Sequence, residues 1–128
     1  MNVLSLFDGM SCGQLALNKA GVEYENYFAS EIDKAAMSVT HTNFPKTVQL
    51  GSVTELSADS LPNIDLLIGG SPCQSISNLG DGSGLEGKSG LFYHYVRLKN
   101  SLNPKHFMLE NVVGNKKAID KITELLEV

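Results

Sequence analysis

The chain has 128 residues, 42% of them hydrophobic and 19% charged, with a formal net charge of −4. These values are typical of one globular domain with a single core, residues 1–128. They argue against a membrane span, a secretory signal peptide and a large nucleic-acid footprint, because there is no long apolar run, no basic leader and no basic run beyond Lys116-Lys117.

Apolar runs of strand length alternate with helical patterns along the chain. Strands are predicted at residues 2–7, 26–32, 46–53, 64–70 and 105–112, and helices at 12–21, 33–44, 89–102 and 116–128. This alternation predicts βαβ units and a doubly wound, Rossmann-like α/β fold with a mainly parallel sheet in the order 3-2-1-4-5. Ligands of such sheets bind beyond the carboxyl ends of the strands.

The first predicted strand ends in "LFDGMSCG", where Gly9 and Gly13 flank a strand-to-helix turn. The strict G-x-G-x-x-G spacing is absent, so an ordinary glycine at a βα turn explains it equally well. Glu31 follows the second predicted strand, about twenty residues later, where an acid can bind ribose hydroxyls. A lone acid there can also be solvated or cap a helix. The two features together predict a nucleoside cofactor.

The two cysteines, Cys12 and Cys73, form neither a disulfide framework nor a metal-binding pattern, so we expect a reducing cytoplasm and no metal. Cys73 follows Pro72 in "IGGSPCQSIS", at the end of the fourth predicted strand. Its position is equally compatible with a nucleophile and with an inert thiol. Cys12 opens the first predicted helix and is interpreted as small packing material.

Glu110 and Asn111 end the fifth predicted strand. A carboxyl group in a partly desolvated strand end can donate a proton, although the pair can also cap a helix. The glycine-rich segment 80–90 is interpreted as a lid over the same edge of the sheet or as a loop without a function.

Six blocks then match a known family in its order: "LSLFDGMSCG", "SEID", "GSV", "GGSPCQS", "GKSGLFY" and "LENV". The chain resembles the C5-cytosine DNA methyltransferases, in particular those of the phage-encoded and animal de novo types. The resemblance implies S-adenosyl-L-methionine as cofactor, DNA as partner, and the cytoplasm of a bacterial or phage-infected cell.

The resemblance also assigns roles residue by residue. Cys73 would attack C6 of a flipped-out cytosine, Glu110 would hold its N3 edge, and Pro72 and Asn111 would shape the pocket. Glu31 would bind the cofactor's ribose and Ile32 its adenine. The other implied cofactor contacts are Phe7, Asp8, Gly9, Met10, Ser11, Ser52, Val53, Ser71 and Leu91.

Some family features are missing from these 128 residues. Ser52 stands where the family usually has an acid that contacts adenine, and Ser11-Cys12 replaces the usual Gly-Gly. The family's Gln-x-Arg-x-Arg block, target-recognition region and C-terminal helix are absent. We therefore expect an incomplete domain, a truncated or split methyltransferase that binds DNA weakly and needs a complementing subunit or self-association. The alternatives are a non-catalytic module that regulates a full-length methyltransferase and, from another class, a nicotinamide-dependent oxidoreductase.

Overall fold

The computed structural model describes residues 1–72, 88–111 and 116–128. Within these ranges the chain forms strands β1 (Asn2–Leu6), β2 (Asn26–Ser30), β3 (Val48–Gln49), β4 (Leu66–Gly70) and β5 (His106–Glu110). The helices are α1 (Cys12–Lys19), α2 (Lys34–Asn43), α3 (Phe92–Leu102) and α4 (Lys116–Leu126). Short 3-10 turns occupy Ala58–Ser60 and Lys88–Leu91.

The five strands make one sheet in the order β3-β2-β1-β4-β5. Every pairing is parallel, with Val3 of β1 opposite Tyr27 of β2 and Leu66 of β4. The predicted fold class and strand order are therefore confirmed. The order changes direction at β1, so the carboxyl ends of β1 and its neighbours form the edge where doubly wound sheets bind ligands.

Alternating residues of the strands build a core on each face of the sheet, because successive side chains of a strand point to opposite faces. Leu4, Leu6 and Leu67 pack with Phe92, Tyr95 and Leu98 of α3 and with Ala118 and Leu126 of α4. On the other face, Val3, Tyr27, Ala29 and Ile68 pack with Leu17 of α1. β1 and β4 are therefore buried on both faces of the sheet.

The helix ends follow from local sequence. The Asp33 carboxylate accepts the Ala36 amide at 3.0 Å and caps α2, which ends before Pro45. The end of α1 is a Schellman motif, with Gly21 at φ +71 and the Val22 amide donating to the Leu17 carbonyl at 3.0 Å. Within the described ranges, no helix combines the length and apolarity needed to cross a bilayer.

Two expectations are corrected. The strand predicted at 46–53 pairs only over Val48–Gln49. It leaves the sheet after the Leu50 amide donates to the Ala29 carbonyl at 2.8 Å, because Gly51 takes φ +77 and turns the chain. Cys12 is exposed rather than packed. Gly13, its neighbour, faces the sheet instead, since a Cβ there would lie 2.7 Å from Cδ1 of Ile68.

Candidate functional site

The turn between β1 and α1, residues 7–11, is held in an unusual backbone conformation. Phe7, Gly9 and Ser11 have φ of 56°, 61° and 65°. The left-handed region costs roughly 1–2 kcal/mol for a residue with a side chain. Such conformations persist only where the surroundings enforce them, and they cluster at functional sites. We call residues 7–11 the first turn.

Glu31 fixes the position of the first turn from the end of β2. Its Oε1 accepts the Gly9 amide at 2.7 Å, and its Oε2 accepts the amides of Ile32 and Asp33 at 2.8 and 3.0 Å. An ionised carboxylate offers about four acceptor positions. Three are used by backbone donors, so Glu31 retains capacity for one donor from a ligand.

A cavity of about 230 Å³ opens beside Glu31 at the carboxyl ends of the strands. Its lining residues are Phe7, Ser30, Glu31, Ile32, Gly51, Ser52, Val53, Thr54, Pro72 and Leu91. The structure therefore brings together seven predicted site residues from four strand ends and from the turn before α3: Phe7, Glu31, Ile32, Ser52, Val53, Pro72 and Leu91.

The cavity combines apolar walls with one acid. Ile32 is 71% exposed although it is a large hydrophobic residue, and Phe7 and Leu91 supply further apolar surface. Pockets for whole drug-sized ligands start at roughly 300 Å³. This cavity, at about 230 Å³, suits a nucleoside-sized part of a ligand, with apolar contacts for a base and the Glu31 carboxylate for a hydroxyl.

The wall formed by residues 51–54 depends on contacts that the sequence did not reveal. Ser30 Oγ donates to the Gly51 carbonyl at 2.8 Å, and Arg97 of α3 donates to the Val53 carbonyl at 3.1 Å. Ser52 Oγ lies 2.8 Å from Thr54 Oγ1 and accepts the Thr54 amide at 3.2 Å. The Ser52 hydroxyl therefore stabilises its own turn, and Thr54 joins the cavity without any sequence signal to mark it.

The remaining predicted residues of the first turn lie outside the cavity lining. Met10 is 55% exposed, and Ser11 is fully buried. The Asp8 carboxylate accepts the Tyr27 hydroxyl at 2.8 Å and also the Ser11 hydroxyl. Asp8 thus makes its hydrogen bonds with protein groups, and its role at a ligand remains a prediction.

A second group of predicted residues lies where β4 and β5 end. Gly70 is paired with Glu110, and the absence of a side chain at Gly70 leaves room for the Glu110 carboxylate. Asn111 Nδ2 donates to the buried Ser71 Oγ at 3.2 Å, which ties the segment carrying Pro72 to the end of β5. Cys73 and most of the glycine-rich segment 80–90 lie outside the described residues.

In the part of the chain that the structure describes, no group of three His, Cys, Asp or Glu side chains is arranged to hold a metal ion. The groups at the site are one carboxylate in the cavity wall, one at the end of β5, hydroxyls and backbone amides. This set suits recognition of a nucleoside and general acid–base chemistry.

The parallel sheet in the order β3-β2-β1-β4-β5 defines a Rossmann-like α/β domain, and the glycine turn and the acid after β2 lie at the edge where such domains bind ligands. The profile of C-5 cytosine-specific DNA methylase matches residues 1–127, and the chain belongs to this family.

Relatives agree with that assignment. The chain is similar to the orphan methyltransferase M.Rho11sI of Bacillus phage rho11s, at 41% identity over 89% of this chain and 23% of the relative. It is also similar to the type II methyltransferase M.NgoBV of Neisseria gonorrhoeae, at 38% identity over 87% of this chain and 27% of the relative. The chain spans about a quarter of the length of these curated relatives.

Solved structures support the fold. The Dnmt2 methyltransferase of S. pombe matches with a TM-score of 0.76 and 22% identity, over 99% of this chain and 39% of its own. A mutant DNMT2 from Spodoptera frugiperda gives the same TM-score at 23% identity, over 98% of this chain and 39% of its own.

Proposed function

We propose that this chain supplies the S-adenosyl-L-methionine site and the nucleophile of a DNA (cytosine-5)-methyltransferase. The observation that carries the proposal is the cavity beside Glu31, in which an acid and apolar side chains meet at the carboxyl ends of the strands. Membership of the methylase family supports the reaction class. The activity of the whole protein is part of the proposal, because the chain spans about a quarter of its curated relatives.

The residues of the cavity fit this cofactor. The free acceptor position of Glu31 would take a ribose hydroxyl, and Ile32, Phe7 and Leu91 would pack against the adenine. When bound, S-adenosyl-L-methionine supplies an electrophilic methyl group. Ser52 would offer a neutral hydroxyl near the base, where a carboxylate would bind an exocyclic amine more strongly.

The proposed chemistry needs a nucleophile and an acid. The Cys73 thiolate would add to C6 of a flipped-out cytosine, and Glu110 would stabilise the charge that develops at N3. C5 would then take the methyl group as the bond between that methyl and the cofactor's sulfur breaks, which leaves S-adenosyl-L-homocysteine. Loss of the C5 proton to a base would expel the thiolate from C6 and restore the cysteine. The cytosine must leave the helix because C5 and C6 are inaccessible along the attack direction within the stack.

Contacts at the ends of β4 and β5 support placing the nucleophile next to the cofactor cavity. The hydrogen bond from Asn111 to Ser71 holds the ends of β4 and β5 together. Pro72, the last described residue before Cys73, lines that cavity directly. We therefore propose that Pro72 and Asn111 shape the pocket around the attacking sulfur.

DNA is the proposed substrate. With a net charge of −4 and no basic run longer than Lys116-Lys117, these 128 residues alone are expected to bind it weakly. Tight binding would require further polypeptide, either continuous with this chain or supplied by a complementing subunit or a second copy.

Two measurements on the 128-residue chain test the proposal. Calorimetric titration with S-adenosyl-L-methionine is expected to show binding, and titration with a nicotinamide dinucleotide is expected to show none. With family segments carrying Gln-x-Arg-x-Arg and a target-recognition region added in trans, DNA containing 5-fluorocytosine is expected to trap the chain covalently.

The two cysteines provide a matched pair of variants for the trapping experiment. Cys73→Ser is expected to abolish covalent trapping, whereas Cys12→Ser, at an exposed position, is expected to preserve it. Failure of the wild-type chain both to bind the cofactor and to be trapped would refute the proposal. The non-catalytic regulatory module would instead be favoured by two results together. The wild-type chain would bind the cofactor without being trapped, and Cys73→Ser would still bind a methyltransferase partner.

A further inference from the structure

Tyr27, the second residue of β2, contacts the first turn through its hydroxyl. It is 2% exposed, and its hydroxyl donates to Asp8 Oδ1 at 2.8 Å. The other carboxylate oxygen, Oδ2, accepts the hydroxyl of Ser11, which is fully buried. Two hydroxyl donors, one from β2 and one from the first turn itself, therefore hold the Asp8 side chain.

These two bonds direct the Asp8 carboxylate towards the α1 side of the sheet, where Tyr27 packs with Val3, Ala29 and Ile68. The next amide along the chain, that of Gly9, donates to Glu31. Like charges repel at short range. If these bonds were lost and the Asp8 carboxylate turned towards Glu31, it would therefore repel the Glu31 carboxylate in the cavity wall. Holding Asp8 on the α1 side keeps the two acids apart.

The surroundings make room for this contact and keep the phenol able to donate. A Cβ at Gly13 would lie 3.3 Å from the Tyr27 hydroxyl, so the glycine at the start of α1 leaves that space open. Burial, together with the charge of Asp8, raises the pKa of Tyr27 well above 10.0, its usual value. The phenol therefore stays protonated throughout the physiological range.

We propose that Tyr27 is a positioning residue for cofactor binding. Its hydroxyl, acting through Asp8, holds the first turn in the conformation that presents the Gly9 amide to Glu31 and leaves Glu31 one free acceptor position. The inference rests on the proposed function, since it assigns Tyr27 to the same cofactor site. Nothing in the family blocks marks this residue.

Tyr27→Phe removes only the hydroxyl, and Tyr24→Phe is its matched control. Tyr24 lies 5.8 Å from Tyr27 between ring centroids, but its hydroxyl donates to Asn18 Oδ1 at the surface. By calorimetry at a temperature where all variants are folded, Tyr27→Phe is expected to raise the Kd for S-adenosyl-L-methionine roughly tenfold, the loss typical of one hydrogen bond to a charged group. Tyr24→Phe is expected to leave it unchanged.

Amide hydrogen exchange tests the same idea without the cofactor. In Tyr27→Phe, the Gly9 amide is expected to exchange at least about fivefold faster, because the first turn opens locally. The Phe44 amide, which follows α2 and donates to the Thr40 carbonyl at 2.7 Å, is expected to keep its rate. A purely structural role would instead accelerate both amides together and leave the Kd unchanged.

The outcomes separate this inference from the proposed function. If the wild-type chain binds no S-adenosyl-L-methionine, the proposed function fails, and the ratio of Gly9 to Phe44 exchange still decides whether Tyr27 orders the first turn. The inference would be overturned if Tyr27→Phe kept both the wild-type Kd and the wild-type exchange rate of the Gly9 amide. Should that variant not fold, Ser11→Gly removes the other donor to Asp8 at a position whose φ of 65° glycine tolerates, and the same two readouts apply.

Discussion

Glu31 and Gly9 are joined by a hydrogen bond of 2.7 Å between Oε1 and the backbone amide, across 22 residues of sequence. This bond connects the carboxyl ends of β2 and β1 and fixes one wall of the cavity. The same carboxylate caps the amides of Ile32 and Asp33. Glu31 is therefore a structural acceptor and the proposed ligand group at once, so its substitution is expected to affect both properties.

Glu31→Gln is expected to raise the Kd for S-adenosyl-L-methionine roughly 10- to 100-fold, because the amide nitrogen cannot accept a backbone N–H and the negative charge is lost. Glu25→Gln is the matched control. Glu25 directly precedes β2 whereas Glu31 directly follows it, and the Glu25 side chain is 80% exposed. Calorimetry of both variants would contradict the role of Glu31 if their affinities were equal.

The fold was predictable because its signals are local. The apolar runs match β1, β4 and β5 closely, Gly21 ends α1, and Pro45 stops α2. The length of β3 was not predictable in this way. "KTVQLGSV" continues to alternate as a strand, but Gly51 takes a left-handed conformation and the chain turns away to form the cavity wall.

The candidate site was predictable only where the type of a residue and its position after a strand together indicate a function. Glu31 could be proposed from its place after β2, and the cavity includes it. The partnership between Tyr27 and Asp8 could not, because the strand pattern predicts that Tyr27 is buried but not which group its hydroxyl reaches. Arg97 was missed for the same reason, since an exposed cation on a helix does not reveal its carbonyl partner.

Two adjacent glycines of β4 are expected to respond differently to alanine. At Gly70 the added Cβ would meet Glu110 Oε2, the end of a flexible side chain, at 2.8 Å. Gly70→Ala should therefore displace the carboxylate with little loss of stability. A misplacement of about 1 Å costs roughly a hundredfold in rate, so covalent trapping by the complemented protein should fall by that order. Cofactor affinity should not change, because Glu110 does not line the cavity.

Gly69→Ala is the matched comparison. Its Cβ would lie 2.9 Å from the Leu6 carbonyl and 3.2 Å from the buried Tyr95 ring, and neither group can move freely. Overpacking of this kind costs about 1–3 kcal/mol in the free energy of unfolding. Urea titration would contradict this reasoning if Gly70→Ala proved the less stable of the two variants.

Alkaline pH is expected to destabilise the fold through its buried tyrosines. Burial raises the pKa of Tyr27 and of Tyr95 above 10.0, their usual value, so the unfolded chain loses these protons first. Their contribution to stability is complete below pH 10 and is lost as the pH rises further. Each is expected to lower the free energy of unfolding by about 1.4 kcal/mol per pH unit in that range.

Urea titrations between pH 9 and 11.5 measure this slope. Above pH 10, the free energy of unfolding of Tyr27→Phe should fall less steeply with pH, by the equivalent of about one bound proton, whatever the stability of the variant at neutral pH. Tyr93→Phe serves as the control because Tyr93 is 43% exposed. Equal slopes in the wild-type chain and Tyr27→Phe would show that the phenol of Tyr27 is not protected by burial.

Ser52 is expected to limit cofactor affinity, because it places a neutral hydroxyl in the cavity wall where the family resemblance implies an acid. Ser52→Asp should keep the turn at residues 52–55, since an aspartate can still accept the Thr54 amide that Ser52 Oγ now accepts at 3.2 Å. The added charge should lower the Kd for S-adenosyl-L-methionine about three- to tenfold if an amine of the base lies within reach.

Ser52→Asn is the control for calorimetry, because an asparagine has nearly the same shape as an aspartate but no charge. Equal affinities of the two variants would mean that charge at position 52 does not act on the ligand, and that Ser52 serves only the turn that supports Val53 and Thr54.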